Sequence, residues 1–261
     1  MDLTLDLSVT QGLVSKSAIS GRLTEHWASQ NLYCLSCPSD HLEQHKPGTP
    51  VKDFTCPSCY STYQLKGKNG KHGKTVPNSA YQVKMAAISE GKAPNYAFLD
   101  YDLQLLRVTG LFIVPSHFIG RSLVRPRKPL SPSARRAGWV GSTILLDRLP
   151  QEGRIPLIQG SQPIDRLEAR NVWRQFQFLK DDTRALGGWG GEILAAVREI
   201  QTTSQNNRFT LRQFYNMFLT SLRHAHPENH NVEAKIRQQL QVLRDHGVLR
   251  FVGRGEYQIL H

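Results

Sequence analysis

The sequence predicts an α/β (α+β) protein: a mixed-sheet domain with an inserted four-cysteine site, then a C-terminal module of three helices and a β-hairpin. Three observations predict it. All four cysteines fall in one stretch, as Cys34-x-x-Cys37 and Cys56-x-x-Cys59. Helix-like and strand-like segments follow one another from residue 17 to residue 179, the order of a mixed sheet with packed helices. Beyond about residue 184 the apolar spacing turns helical in successive segments and then alternates through two short runs.

The first predicted element is a helix over 17–31, with Ile19, Leu23 and Trp27 at helical spacing. Glu25 on it is open to two readings, a residue facing the acid site of the following hairpin or a solvated helix charge. Next come the cysteine pairs, separated by eighteen residues. That spacing is the pattern of a paired-thiolate zinc site. In a cytoplasmic chain thiols stay reduced, which favours metal over disulfides. His41 and His45 lie between the pairs and could replace a cysteine, although four thiolates suffice.

Segments 49–55 and 60–66 read as strands joined by the turn 56–59. Alternation puts Tyr60, Thr62, Gln64 and Lys66 on one face. A hairpin turning at Pro57-Ser58 would set Asp53 opposite Thr62 and diagonal to Gln64, so Asp53, Gln64 and Lys66 converge. A basic glycine–lysine loop follows at 67–74. A helix is predicted over 78–90 with Asn78 as its cap, then strands over 96–101 and 105–114. Residues 121–141 read as an arginine-rich loop. Arg135, Arg136 and Trp139 there suit phosphate clamping and contact with a base, although a core role for Trp139 is the plainer alternative. Strands over 144–146 and 154–159 and a helix over 166–179 close this domain, 1–183, and 180–191 reads as a linker.

The second domain, 184–261, reads as helices over 192–200, 211–223 (capped by Thr210) and 231–246, then a hairpin of 248–252 and 256–260. Three helices and a two-stranded wing make a winged helix-turn-helix. In the third helix Val232, Ile236, Leu240 and Leu243 face inward. Ala234, Lys235, Gln238 and Gln241 face outward, flanked by Arg237 and Arg244. Glutamine suits adenine, and lysine or arginine suits guanine or phosphate. Arg254 at the wing tip suits a backbone or minor-groove contact.

Charge agrees with a polyanionic partner. Thirty-three Lys and Arg against 21 Asp and Glu give a net charge of +12, with a pI near 9.8. A hydrophobic fraction of 39% excludes a disordered chain, and no apolar run is long enough to span a bilayer. Residues 1–7 alternate and carry acids, unlike a signal peptide.

The hairpin triplet resembles the PD-(D/E)xK nuclease motif, in which an acid and an acid-x-lysine hold magnesium beside a scissile phosphate. The resemblance extends over almost the whole chain, to the DpnI-like methyl-directed restriction endonucleases. It is carried by Tyr33 to Cys37, Asp53 to Lys66, Arg127 to Gly141 (above all Ala134 to Trp139), Gly153-Arg154-Ile155, and Glu233 to Asp245 with its wing. It implies magnesium-dependent cleavage of duplex DNA at adenine-methylated GATC in a bacterial or archaeal cytoplasm. It also implies a structural zinc on the four cysteines, Asp53 as metal ligand, Lys66 as the lysine, and Trp139 as the methyl-sensing ring. A monomer in solution is expected. One position departs: the family carries glutamate where this chain has Gln64. The amide oxygen can ligate magnesium but brings no charge. The expectation is a working enzyme with a raised metal requirement. The alternatives are a methyl-DNA-binding regulator whose nuclease site has weakened, and a repair nuclease acting on structured DNA.

Overall fold

A computed structural model describes residues 1–46, 52–181, 188–204 and 206–260. In chain order the elements are α1 (Lys16–Asn31), β1 (Glu43–Gln44), β2 (Phe54–Thr55), β3 (Thr62–Asn69), β4 (Thr75–Ala80), α2 (Tyr81–Ser89), β5 (Asn95–Asp102) and β6 (Arg107–Val114). Then follow β7 (Val124–Pro126), β8 (Gly141–Leu145), β9 (Ile155–Gln159), β10 (Gln162–Pro163), α3 (Arg166–Gln175) and α4 (Phe178–Asp181). The chain ends with α5 (Trp189–Ser204), β11 (Arg208–Thr210), α6 (Leu211–Ala225), α7 (Val232–Asp245), β12 (Leu249–Gly253) and β13 (Glu256–Ile259). Short 3-10 turns punctuate the loops.

These elements form two compact units that interleave along the chain. The first is Met1–Lys74, Pro94–Ser116 and Glu152–Phe176; the second is Thr75–Ala93, His117–Gln151 and Gln177–His261.

The first unit is built on a mixed sheet in the order β1-β2-β3-β5-β6-β9-β10. Only β3 and β5 run parallel among its pairs. Leu23 and Trp27 of α1, Leu65 of β3, Leu99 of β5, Leu111 of β6 and Trp173 of α3 share one core. Each such side chain, fully buried, contributes about 1.5–3 kcal/mol. Both helices are capped by the residue before them: Ser15 Oγ accepts from Ala18 N–H, and Asp165 accepts from Leu167 and Glu168 N–H. Helix α1 lies hard against β3 at one point. A Cβ on Gly67 would stand 2.7 Å from Thr24 Cγ2, so only glycine lets strand and helix meet there.

The second unit holds two smaller sheets, β4-β8-β7 and β11-β13-β12, with α2 and α4 to α7. Helix α6 starts with a reciprocal capping box, Thr210 with Gln213, as the sequence predicts for Thr210. Helix α7 buries Val232, Ile236, Leu240 and Leu243, the predicted inward face. Gly247 follows it at φ +72°, the left-handed residue that ends such helices. The wing turns at Arg254-Gly255, with Gly255 also at φ +72°. The fold is therefore a mixed α/β arrangement with a C-terminal winged helix.

The local differences have physical reasons. The helix expected over 78–90 starts at Tyr81, because Asn78 pairs with Ser142 across β4 and β8 and is no cap. The expected helix over 166–179 divides at Phe176, where the chain passes from the first unit to the second; Phe178 then stacks on His246 at 4.0 Å. The loop expected over 121–141 contains β7 and ends in β8, because Val124 to Pro126 find hydrogen-bonding partners on that strand. The start of the strand expected over 49–55 and residues 182–187 of the expected 180–191 linker lie outside the described residues, while 180–181 end α4 and 189–191 open α5.

Candidate active site

The four thiols meet. Cys34 and Cys59 Sγ are 3.5 Å apart, as are Cys37 and Cys56, and all four sulfurs lie within 4.8 Å of one another. A tetrahedral ion with bonds of about 2.3 Å would hold its sulfurs about 3.8 Å apart, so the cluster fits a metal such as zinc. The local backbone is arranged for it. Cys56 N–H donates to Ser61 O and Tyr60 N–H to Cys56 O, with Tyr60 at φ +59°. Cys34 N–H donates to Ser39 O, while Arg170 of α3 donates to both Cys34 O and Ser39 O at 3.1 Å. Tyr63 Oη accepts from Leu35 N–H and lies 3.5 Å from Cys34 Sγ. Burial pushes the Cys34 thiol up to about 12. Burial also raises Cys56, but the N–H groups of Cys59 and Ser58 and the Cys37 thiol outweigh it and bring Cys56 down to about 6.

The hairpin that follows carries the acid, amide and ammonium. Phe54 pairs with Tyr63 and Thr55 with Thr62. Asp53 N–H donates to Tyr63 O, and Asp53 O accepts from His45 N–H at 2.8 Å. This register sets Asp53 across from Gln64, correcting the expectation that it faces Thr62. The turn ends nearer Thr62 than counting from Pro57-Ser58 implies, because Tyr60 folds back in the left-handed region. The strand β2 begins only at Phe54, so Asp53, just before it, turns its carboxylate onto the part of β3 beyond the β2 pairing, where Oδ2 accepts from Leu65 N–H at 2.8 Å.

Gln64 and Lys66 leave β3 on one face. Gln64 is only 8% exposed, and its Oε1 is buried with no hydrogen-bond partner among the described residues. A buried carbonyl oxygen without a donor is costly, and a cation is one way to satisfy it. Burial holds the Asp53 carboxyl above the usual carboxylate range, against the opposing pull of Leu65 N–H and Lys66. Burial holds the Lys66 ammonium below the usual lysine range, with Asp53 opposing. Each charge makes the other less costly to keep inside. An acid, an orphaned amide oxygen and an ammonium at one sheet edge can bind a hard divalent cation and a phosphate.

The sequence also singled out residues of the second unit. Arg135 and Arg136 are exposed, and Trp139 is half-buried, outside the core. Its ring lies across the α-carbon of Gly141, where a Cβ would stand 2.8 Å from it. The Arg136 guanidinium sits 4.9 Å over the same ring. Leu130 N–H donates to Trp139 O and Gly138 N–H to Leu130 O, which closes the loop on itself. On α7, Arg237, Gln241 and Arg244 are exposed and Lys235 and Gln238 half-buried. Lys235 donates to Gln238 at 2.8 Å and Arg237 to Tyr215 at 3.0 Å, while Arg244 holds Asp245 and covers the Phe251 ring. Arg254 stands exposed at the wing tip.

Sequence reasoning missed Arg170. Nothing near it in the chain marks it, since the carbonyls it holds are more than 130 residues away.

Comparison with known proteins adds the family. A model described as the Dam-replacing family, DpnI, matches residues 1–182. A second, described as a Dam-replacing HTH domain, matches residues 186–259. Among the described residues no helix is long and apolar enough to cross a membrane.

Proposed function

The chain belongs to the DpnI, Dam-replacing family, a nuclease family whose members carry a DNA-binding winged helix, and from that premise we propose a specific reaction for it. It cleaves double-stranded DNA at adenine-methylated GATC by magnesium-dependent phosphodiester hydrolysis. The observation that carries this reading is the buried Gln64 oxygen, without a hydrogen-bond partner among the described residues, beside Asp53 and Lys66 on a hairpin braced by four thiols.

In this reading Asp53 and Gln64 would hold the magnesium, and the four cysteines a structural zinc. Magnesium bound there would lower the pKa of an attacking water and offset charge on the phosphate. Asp53 opposes the loss of charge that burial favours at Lys66, and a Lys66 ammonium would stabilise charge that develops on the phosphoryl oxygens. Arg135 and Arg136 grip backbone phosphates, and Trp139 meets the methylated base. Lys235, Gln238 and Gln241 read base edges, while Arg237, Arg244 and Arg254 hold phosphates. The protein works as a monomer in the cytoplasm of a bacterial or archaeal cell. The domain boundary assigned to it is 183/184.

The uncharged Gln64 favours a second reading, a methyl-DNA-binding regulator with weakened cleavage. Digestion of matched methylated and unmethylated plasmid with magnesium separates the two. The nuclease reading expects linearised methylated plasmid, intact unmethylated plasmid, and no cutting by Asp53→Ala. Binding without cutting at any magnesium concentration would establish the regulator instead. Equal cutting of both plasmids would remove the methyl specificity.

A further inference from the structure

The strand β3 uses its two faces differently. Leu65 joins the core that α1 covers, with Ala97, Leu99, Leu111 and Ile113 of the neighbouring strands. Gln64, Lys66 and Lys68 leave by the other face. In the parallel register with β5 they stand beside Tyr96, Phe98 and Asp100. The aromatic rings share that face: Phe98 stacks on Tyr96 at 5.9 Å and on Phe112 of β6 at 5.0 Å. The row that starts at Gln64 and Lys66 therefore reaches an acid, Asp100, roughly 7 Å further along the sheet at the rise of a strand.

Asp100 holds a histidine. The strand β3 runs on to Asn69, and the glycine–lysine loop beyond it comes back over this face. Gly70 N–H donates to Tyr101 O and His72 N–H to Asp100 Oδ1 at 3.0 Å, and the His72 ring bonds the same carboxylate oxygen through Nδ1. The ring stands edge-on to Phe98, with 5.3 Å between centroids, and only 4% of the side chain is exposed. Gly110 lies across from Asp100, where a Cβ would come within 3.4 Å of Oδ2, so the carboxylate takes up the room a side chain would need.

The backbone bond alone anchors the loop. The ring bond adds orientation. A carboxylate oxygen only accepts, so Nδ1 carries its proton towards Asp100 and the ring is fixed. The other nitrogen, Nε2, makes no hydrogen bond among the described residues. Lys68, Lys71 and Lys74 of the same strand and loop are exposed. A fixed imidazole with one free nitrogen, on a lysine-rich rim beside Lys66, suits an anion.

We propose that His72, oriented by Asp100, binds a backbone phosphate of the DNA about one or two nucleotides from the phosphate held at Asp53, Gln64 and Lys66. This rests on the nuclease reading above. The ring meets the phosphate oxygen as an imidazolium, donating through Nε2 and held from behind by the Asp100 carboxylate. Asp100 is the positioning residue. The contact fixes the register of the strand in the site, so its loss shows in binding.

The test is fluorescence anisotropy of the full chain on a methylated GATC duplex without magnesium, with each phosphate around the site replaced in turn by a neutral methylphosphonate. Cleavage of the unmodified duplex with magnesium maps the cut. Wild type should lose affinity on the order of tenfold at one phosphate close to the cut. His72→Ala should show that loss on the unmodified duplex, a salt slope lower by about 1, and little further loss when that phosphate is neutral. Asp100→Asn keeps an acceptor for the loop backbone and should lose less, at the same phosphate. Zinc content and circular dichroism check folding, and should His72→Ala be unfolded, Asp100→Asn carries the same cycle. If wild type cuts and His72→Ala binds as wild type does, or its loss adds to that of every methylphosphonate, the phosphate contact is overturned and the nuclease reading stands. If the coupling is found but wild type never cuts, the contact stands and the nuclease reading falls. If wild type does not bind the duplex, both fall.

Discussion

The hairpin edge of the first unit and the outer face of α7 are both polar, yet they are built by opposite rules. At the hairpin the polar groups are buried or half-buried, and Gln64 Oε1 has no hydrogen-bond partner among the described residues. On α7 the polar groups are exposed or half-buried and are braced, Lys235 by Gln238, Arg237 by Tyr215, Arg244 by Asp245 and Phe251. The first arrangement costs stability until a ligand completes it. The second loses little without a ligand and needs only pre-set side chains. Chemistry on phosphate benefits from a dehydrated, incomplete site, and duplex reading benefits from an exposed, preorganised one.

The largest expected effect separates them by metal. Removing a bound zinc with a strong chelator, or Cys56→Ser, withdraws a contribution that in zinc-finger peptides is on the order of 10 kcal/mol. Hydrogen exchange should show lost protection in β2, β3 and residues 34–39, with α6 and α7 protection retained. Lowering pH should weaken retention of the metal, because thiolates bind it and protons compete; Cys34, pushed up to about 12, competes most strongly. Loss of protection in α7 to the same degree would break the contrast.

The winged helix has a conventional core, and breaking it should do the reverse. Phe214 is fully buried, 5.2 Å from the Phe218 ring. Phe214→Ala should cost about 3–5 kcal/mol in denaturant unfolding of that domain. Duplex affinity should fall while zinc content and Mn2+ binding persist. Unchanged DNA affinity would remove α7 from the reading surface.

Exposed contacts should give smaller and separable losses. Gln241→Ala should weaken binding to the methylated site by about 1–3 kcal/mol with little change in affinity for other sequences. Arg254→Ala should weaken all duplexes alike and lower the salt slope by about 1. Fluorescence anisotropy over a salt series reads both. A uniform loss for Gln241→Ala would make it a phosphate contact.

What the sequence made legible follows the same division. The cysteine pairs are short-range, so their spacing alone announced a metal cluster. Thr210, Gly247 and the inward face of α7 depend on contacts a few residues apart, and they stand as expected. Asn78 misled because its partner Ser142 is sixty-four residues away and nothing local signals that pairing. The Asp53 register slipped because the turn folds back at Tyr60, a non-glycine residue at positive φ. The interleaving of the two units is not written in any local pattern.

The smallest expected effect is also the one that bears most directly on the contrast. If the hairpin acids are held in a destabilising arrangement, then removing one should stabilise the metal-free protein. The Asp53 and Glu25 carboxyls are both raised above their ordinary values in the folded state. A raised carboxyl favours folding when protonated, and that advantage is lost as pH rises through the folded pKa. At neutral pH the two therefore weigh against the fold. Asp53→Asn keeps an oxygen to accept from Leu65 N–H and removes the repulsion, although it also deprives Lys66 of its counter-charge. Burial is the first cause of the Asp53 shift and Lys66 opposes it more weakly, so the net change should be a rise of a few degrees in Tm at neutral pH, at the cost of metal binding. The rise should shrink as pH falls into the carboxylate range, where the wild-type acid is protonated as well. The equivalent change on α7, Arg237→Gln, relieves no repulsion and should leave Tm unchanged or slightly lower. Thermal melts of the magnesium-free, zinc-loaded protein across that pH range decide it: a Tm that drops with Asp53→Asn at neutral pH would mean that the Asp53–Lys66 pair outweighs the desolvation, and that the hairpin edge is a stabilising ion pair rather than a strained site.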